Sequence, residues 1–400
     1  MTIQLGGVRV NTLNVGGVDI IGNSSTNFRS ITITEDILDP LGQRANIKIV
    51  DKFDALASVD FKGESNIPIQ IGFSDLFGRN ASFDLRVYEG SNMSDGTSEK
   101  QDKVGSGRVK VLDVKCVSPE YLKNLDNEMA KSYSDFTTNI ARDIIKEYLE
   151  SNKQIIIEEA STNKKRFVFS DLPIDALKKL NEEHVGSQSK GSAFVTFQRQ
   201  KNGQNTYVIS TFERLFSKPS VVRLIRSGRV AFSSATDEER INSIIQMNVD
   251  TSFFSPARSL NGTIDRTFNM STGSLADKRN PRNNPNRTPE TTRGSRYVTM
   301  YYDALNEPQN LTTAQAKALR AYFIARLSEN YAEYKIHGNP GISLGDVVDL
   351  KIPNVSASGG GGDKYFNGKA LVVSIMHHIM EPGYSPQYTM TLGCVRVDPL

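Results

Sequence analysis

The sequence predicts a β-rich α+β protein, with antiparallel β regions at both ends and an α+β unit between them. Three observations predict it. Apolar residues alternate with polar ones, with the two-residue period of a half-buried strand, across much of 31–117 and 331–396. Between 137 and 184 the period changes twice to that of an amphipathic helix. Turn-forming stretches such as Asp39-Pro40-Leu41-Gly42 separate the alternating runs, the pattern of a sandwich or barrel.

The first region, 1–117, contains the alternating pairs Ile31/Ile33 and Ile47/Ile49, then Ile67, Ile69, Ile71 and Phe73. Phe83, Leu85 and Val87 follow, and then Val109 and Val111. The polar run 90–107 reads as an exposed loop. In the second region, 118–232, Ile140, Ile144, Ile145, Tyr148 and Leu149 form a helical stripe, with Thr137 or Thr138 placed to cap it. A second helix carries Pro173 in its first turn, with Ser170 or Asp171 as its cap and Leu177 and Leu180 on one face. AFVTFQRQ and TYVISTFE then flank Asn202-Gly203, a strong signal for a two-residue hairpin turn.

The third region, 233–400, opens with TDEERINSIIQMNVD, which reads as a strand over Ile241 to Val249 or as a continuing helix, the strand being favoured. Residues 271–296 are polar, with Pro281, Pro285 and Pro289, and read as a long extended loop. Thr312-Thr313-Ala314-Gln315 fits a capping box and starts a helix over 313–328, with Ala316, Leu319, Phe323 and Leu327 on its apolar face. At least four strands follow: YAEYKIHG, GDVVDLKIP, KALVVSIMHHI and QYTMTLGCVRV. GISLGDVVDLKIPN is the most patterned stretch. Gly345-Asp346 makes a turn, Val348, Leu350 and Ile352 mark a buried strand face, and Pro353 ends the strand.

Composition excludes several classes. Hydrophobic residues at 38% and charged residues at 23% describe a globular chain. A formal charge of +3 is too small for a general nucleic-acid binder. Two cysteines, Cys116 and Cys394, make no disulfide scaffold. No secretion signal opens the sequence, and no apolar run reaches the roughly 20 residues of a membrane helix, so cytoplasmic synthesis is expected.

No catalytic, cofactor-binding or metal-ligating set emerges. Of four histidines, His184 reads as an exposed C-terminal helix cap, and His337 lies in a strand. His377 and His378 are neighbours in a strand and so point to opposite faces, where they cannot share a metal. The phosphate-loop-like GDKYFNGKA has one residue too many between its glycines, carries Ala370 where a hydroxyl is needed and joins two strands. Asp237-Glu238-Glu239 reads as a solvated face. The basic segment with Arg279, Arg282, Arg287 and Arg293 has three readings: a solvated loop, a subunit contact that orders against an acidic neighbour, and, third, a nucleic-acid contact, which the lack of interleaved aromatic residues disfavours.

The order of these segments resembles the baseplate hub proteins of contractile-tailed bacteriophages, the T-even-type hub and the hub part of type VI secretion spikes. The resemblance runs through ITITEDILD, Asp51, Gly63-Glu64 and the strand Ile67 to Phe73. It continues through NIARDIIKEYL and FSDLPIDALKKLNEEH with the NG hairpin. It ends in Gly345-Asp346, Gly368 before the next strand, and His377 or His378 near that strand's end.

The resemblance implies two tail-tube-like β-barrels with an α+β insertion, the first barrel open to completion by a returning segment. It implies a homotrimer whose six barrels match a sixfold tail tube to a threefold central spike during tail assembly and genome ejection. The partners implied are further copies of the chain, the spike, the tube or tube-initiator protein, the tape-measure C-terminus and wedge proteins. DNA passes only in transit, no membrane insertion and no cofactor are implied, and the location is the virion tail baseplate. Two rivals stay open. A tail-associated peptidoglycan hydrolase would need a carboxylate pair or metal cluster and would turn over cell wall. A receptor- or carbohydrate-binding tail protein would present aromatic platforms, yet the chain has no Trp.

Overall fold

A computed structural model of the chain describes residues 7–52, 55–57, 59, 61, 66–96, 109–162, 164–184, 186, 194–226, 242–249, 263–269, 274–280, 298–302, 331–352, 367–381 and 386–396. The N-terminal strands are β1 (Val8–Val15), β2 (Val18–Asp19), β3 (Thr26–Asp36), β4 (Arg44–Asp51), β5 (Pro68–Asp75), β6 (Asn80–Gly96) and β7 (Val109–Val117). The middle contains α1 (Pro119–Asp126), β8 (Met129–Phe136), α2 (Thr137–Glu147), β9 (Gln154–Ile157), β10 (Lys164–Asp171), α3 (Pro173–Glu183), β11 (Phe194–Lys201), β12 (Gln204–Thr211) and α4 (Phe212–Phe216). Then come β13 (Ser220–Ile225), β14 (Ile244–Val249), β15 (Thr263–Asn269), β16 (Ser274–Asn280), β17 (Val298–Tyr302), β18 (Tyr331–His337), β19 (Val347–Lys351), β20 (Gly368–Met380) and β21 (Gln387–Arg396).

The two terminal β regions, read from the sequence as separate, meet in one sheet. Its order is β14-β18-β21-β20-β3-β4-β7-β6-β5-β1-β2, with β19 on β20 and β13 on β19. The join is the antiparallel ladder from Ser374↔Asp36 to Met380↔Ser30. It satisfies backbone groups along both strands and lines up the buried Ile31, Ile33, Ile375 and Ile379 on one face.

The sheet also rolls. Phe73 on β5 meets Tyr388 on β21 at 5.1 Å between ring centroids, and Phe83 on β6 meets His377 on β20 at 5.6 Å. An isolated bridge joins Gly7 to Gln387. No closed barrel is found among the described strands.

The middle region has its own core, including Met129, Ile140, Ile144, Leu177, Leu180 and Phe194. The β11–β12 hairpin belongs to both cores. Phe194, Tyr207 and Ile209 pack into the inserted unit, while Val195, Phe197 and Val208 pack into the sheet. That division follows the two-residue side-chain period, with both faces of the hairpin buried. Asn202 and Gly203 turn the hairpin with φ of 52° and 78°, the left-handed values that the Asn-Gly pair predicts.

Several expectations are corrected. Neither threonine caps α2: its cap is Phe136, and Thr137 instead bonds Ser161 at 2.7 Å. Leu172 precedes α3 where Ser170 or Asp171 was expected, and Asp171 pairs with Lys179 at 2.5 Å. The loop expected over 271–296 contains β16, paired with β15 from Thr263↔Asn280 to Asn269↔Ser274, with β17 on the other side of β15. Polar side chains did not prevent this, because a ladder is made by backbone groups. The helix expected over 313–328, the glycine-rich tip after Pro353, and Arg282, Arg287 and Arg293 lie outside the described residues.

Candidate functional site

The stretch singled out in the sequence lies at the junction of sheet and insertion. Gly345 has φ of 79°, and a Cβ there would sit 2.9 Å from the Phe197 ring. Its N–H donates to the Val372 carbonyl at 2.9 Å, and Val372 N–H donates to the Asp346 carbonyl at 2.9 Å. The Asp346 carboxylate accepts from the Ser343 N–H at 3.0 Å and from Lys201 Nζ, on the hairpin, at 3.2 Å. The turn therefore clips β19 to β20 on one side and to the insertion on the other.

Val348, Leu350 and Ile352 are all buried, as their alternation predicts, and Val347 is buried as well. Gly368, with φ of 113°, opens β20 opposite Leu350. Ile352 N–H donates to Asn367 just before it. Of the basic residues proposed for subunit contact, Arg279 lies in β16 opposite Ile264.

A second polar group at this junction was not legible in the sequence. Glu120, from α1, accepts from Ser151 Oγ at 2.7 Å and Lys153 Nζ at 2.8 Å, and Gln198 Nε2 donates to Tyr207 Oη at 2.7 Å. Burial alone would raise the Glu120 pKa, but Lys153 and Ser151 outweigh it and hold the carboxyl below its ordinary value. Lys153 also donates to Gln198 Oε1 at 2.8 Å, which ties the loop before β9 to the hairpin. Beside this group lies an open cleft of about 990 Å³, where Arg86, Lys123 and Lys153 face Asp84, Glu120 and Glu150. These charges are paired as Arg86–Asp84 at 2.6 Å, Lys123–Glu150 at 2.7 Å and Lys153–Glu120 at 2.8 Å. Only Ser118-Pro119-Glu120, a helix-start sequence, hinted at α1.

The histidines take structural places. His377 points inward, bonded to Tyr388 Oη at 2.7 Å, and burial lowers its pKa to about 3. His378 points outward to Thr32 Oγ1 at 3.0 Å. His184 does follow α3, but it is buried rather than exposed, against Thr137 and the Phe194 ring. Cys116 and Cys394 are buried free thiols whose pKa values burial raises. Among the described residues no cluster of His, Cys, Asp and Glu could hold a metal, and no helix is long and apolar enough to cross a membrane.

No family model and no curated relative matches the sequence. Solved structures do match. The 43 kDa tail protein of prophage MuSo2 from Shewanella oneidensis aligns over 98% of both chains, with a TM-score of 0.58 and 14% identity. The tail protein of Neisseria meningitidis MC58 aligns over 98% of this chain and 97% of its own, with a TM-score of 0.59 and 12% identity.

The fold is that of phage tail proteins. A third tail-protein-like structure is the E. coli c3393 protein, a type VI secretion component described as similar to the T4 tail proteins gp27 and gp5. It aligns over 97% of this chain and 76% of its own, with a TM-score of 0.51 and 10% identity. At such identities the likeness is one of fold.

Proposed function

We propose that this chain is a structural subunit of a phage tail, and within the tail the baseplate hub. One observation carries the reading: the likeness to phage tail proteins spans 98% of this chain and nearly the whole of theirs, so it covers the entire architecture. In this reading three copies close a ring that joins a sixfold tail tube to a threefold spike. Closed cyclic symmetry fixes the copy number, and broad complementary surfaces supply the binding.

The rolled sheet supports the two-barrel element of the proposal. β5 and β6 already face β20 and β21 across a shared core, and the Gly7–Gln387 bridge sits where a closing ladder would run. The barrels are then discontinuous in sequence, since β20 and β21 complete the enclosure begun by β1–β7. The basic segment around Arg279, Arg282, Arg287 and Arg293 is assigned to the contact with a neighbouring subunit.

Co-expression with the spike and tube proteins of the same tail tests the reading. A hub co-purifies with both, and averaged particle images show threefold symmetry. A chain that binds neither returns both rival readings, the hydrolase and the receptor- or carbohydrate-binding tail protein, and one that releases sugars from purified cell wall favours the hydrolase.

A further inference from the structure

Glu35 is a carboxyl in an apolar row. It follows Ile31 and Ile33 on the inward face of β3, is 3% exposed, and lies where the sheet meets the inserted hairpin. Two segments donate to it, Gln43 and Gln200. Gln43 Nε2, just before β4, donates to Glu35 Oε1 at 2.8 Å and contacts Asn205 Oδ1 on β12 at 3.1 Å. The backbone N–H of Gln200, on β11, also donates to the carboxyl. Around it the hairpin is pinned to β6, by Asn205 on the Ser82 carbonyl at 3.1 Å and Gln200 on the Asn80 carbonyl at 3.3 Å.

The other end of the Gln43 amide is anomalous. Gln43 is 0% exposed, and its Oε1 is a buried acceptor with no partner among the described residues. An orphan of this kind carries a desolvation penalty unless a donor is supplied. The ionisable groups that face Glu35 are Lys153, before β9, and Tyr388, on β21. Lys153 is already held by Glu120 at 2.8 Å, and burial pushes the Tyr388 pKa far up.

We propose that Glu35 and Gln43 form a proton-operated latch between sheet and insertion: the protonated carboxyl donates its O–H to Gln43 Oε1 while accepting from Nε2. Ionisation sends the proton to solvent, orphans Oε1 again and leaves a buried anion under the hairpin. The direction of proton affinity agrees with this geometry, since burial raises the Glu35 pKa from 4.5 to about 7. A carboxyl whose pKa is higher in the folded state stabilises that state fully below 4.5. The stabilisation declines as pH rises and is lost above about 7. The hairpin is therefore latched in mild acid and loosened in mild alkali.

The test is infrared difference spectroscopy with amide hydrogen exchange on the full-length chain, from about pH 5 to about pH 8.5. The expected result is a carbonyl band of a buried protonated carboxyl that fades with a midpoint near 7, absent from Glu35→Gln. Protection of the Gln200 amide should fall over the same range, after correction for intrinsic exchange. Glu35→Gln keeps an amide donor for Gln43 Oε1, so its Gln200 protection should stay flat. A wild-type chain with no such band at about pH 5, or a Gln200 amide with no step across the range, overturns the latch even if the variant fails to fold.

Discussion

Gly345 does two things that no other residue type does together. It holds a left-handed φ of 79° and leaves room for the Phe197 ring, 2.9 Å from where a Cβ would lie. Gly345→Ala should therefore cost about 2–5 kcal/mol, from backbone strain and crowding combined. Chemical denaturation against wild type measures it. Lys153 acts through charge. Its partner Glu120 is nearly inaccessible, with side-chain exposures of 12% for the lysine and 4% for the glutamate. Lys153→Met strands that carboxylate and should cost about 3–5 kcal/mol at neutral pH. The wild-type contribution has the opposite pH sense to that of Glu35. The Glu120 pKa is lowered on folding, so its stabilisation is fully present above the ordinary carboxylate value and is lost as pH falls below that value through the lowered folded-state pKa. Acid titration of Lys153→Met should show a correspondingly smaller loss.

Elements carry their own tests. β19 contributes Val347, Val348 and Leu350 to the main core, with Ile352 just beyond its end, and it is paired on both sides, with β13 and β20. Leu350→Asp puts a charge at a position 2% exposed and should cost about 4 kcal/mol or more, leaving insoluble or unassembled protein. A soluble, normally assembling Leu350→Asp would contradict the placement of this strand. The hairpin turn is the complementary case. Gly203→Val at φ of 78° should destabilise the chain by about 1–3 kcal/mol, measured as a lower denaturation midpoint.

The elements most legible in the sequence were those with strong periodicity or a strong turn signal. The Asn202-Gly203 hairpin, the Ile140/Ile144/Ile145 stripe and the alternation in β18–β21 all lie where the pattern put them. The illegible parts depended on long-range contacts. β16 is polar and forms through its partner β15, while β9 is four residues that pair in parallel with a strand about 50 positions away. Thr137 had the chemistry of a cap but is used to bond Ser161 inside the fold. The Glu120–Lys153–Gln198 group joins a helix, a loop and a strand, and no local spacing encodes that.

For the whole molecule, the joining of β3 to β20 is the feature with the widest reach. It makes the two ends of the chain one mechanical body and leaves the α+β unit as an insertion clamped through its hairpin. In the proposed function, shape and interface area matter more than a reactive pocket. Sequence periodicity could not reveal the joining, because alternation marks a strand and its buried face without naming its neighbour. The likeness to tail proteins over 98% of the chain extends that architecture to a shared fold, and the hub assignment rests on it.

The most direct test of that assignment is native mass, by mass photometry and light scattering at micromolar concentration, alone and co-expressed with the spike and tube proteins. The account predicts a closed species at three times the 44.3 kDa chain mass, by itself or within the complex. A chain that stays at 44.3 kDa in every mixture would contradict the threefold hub.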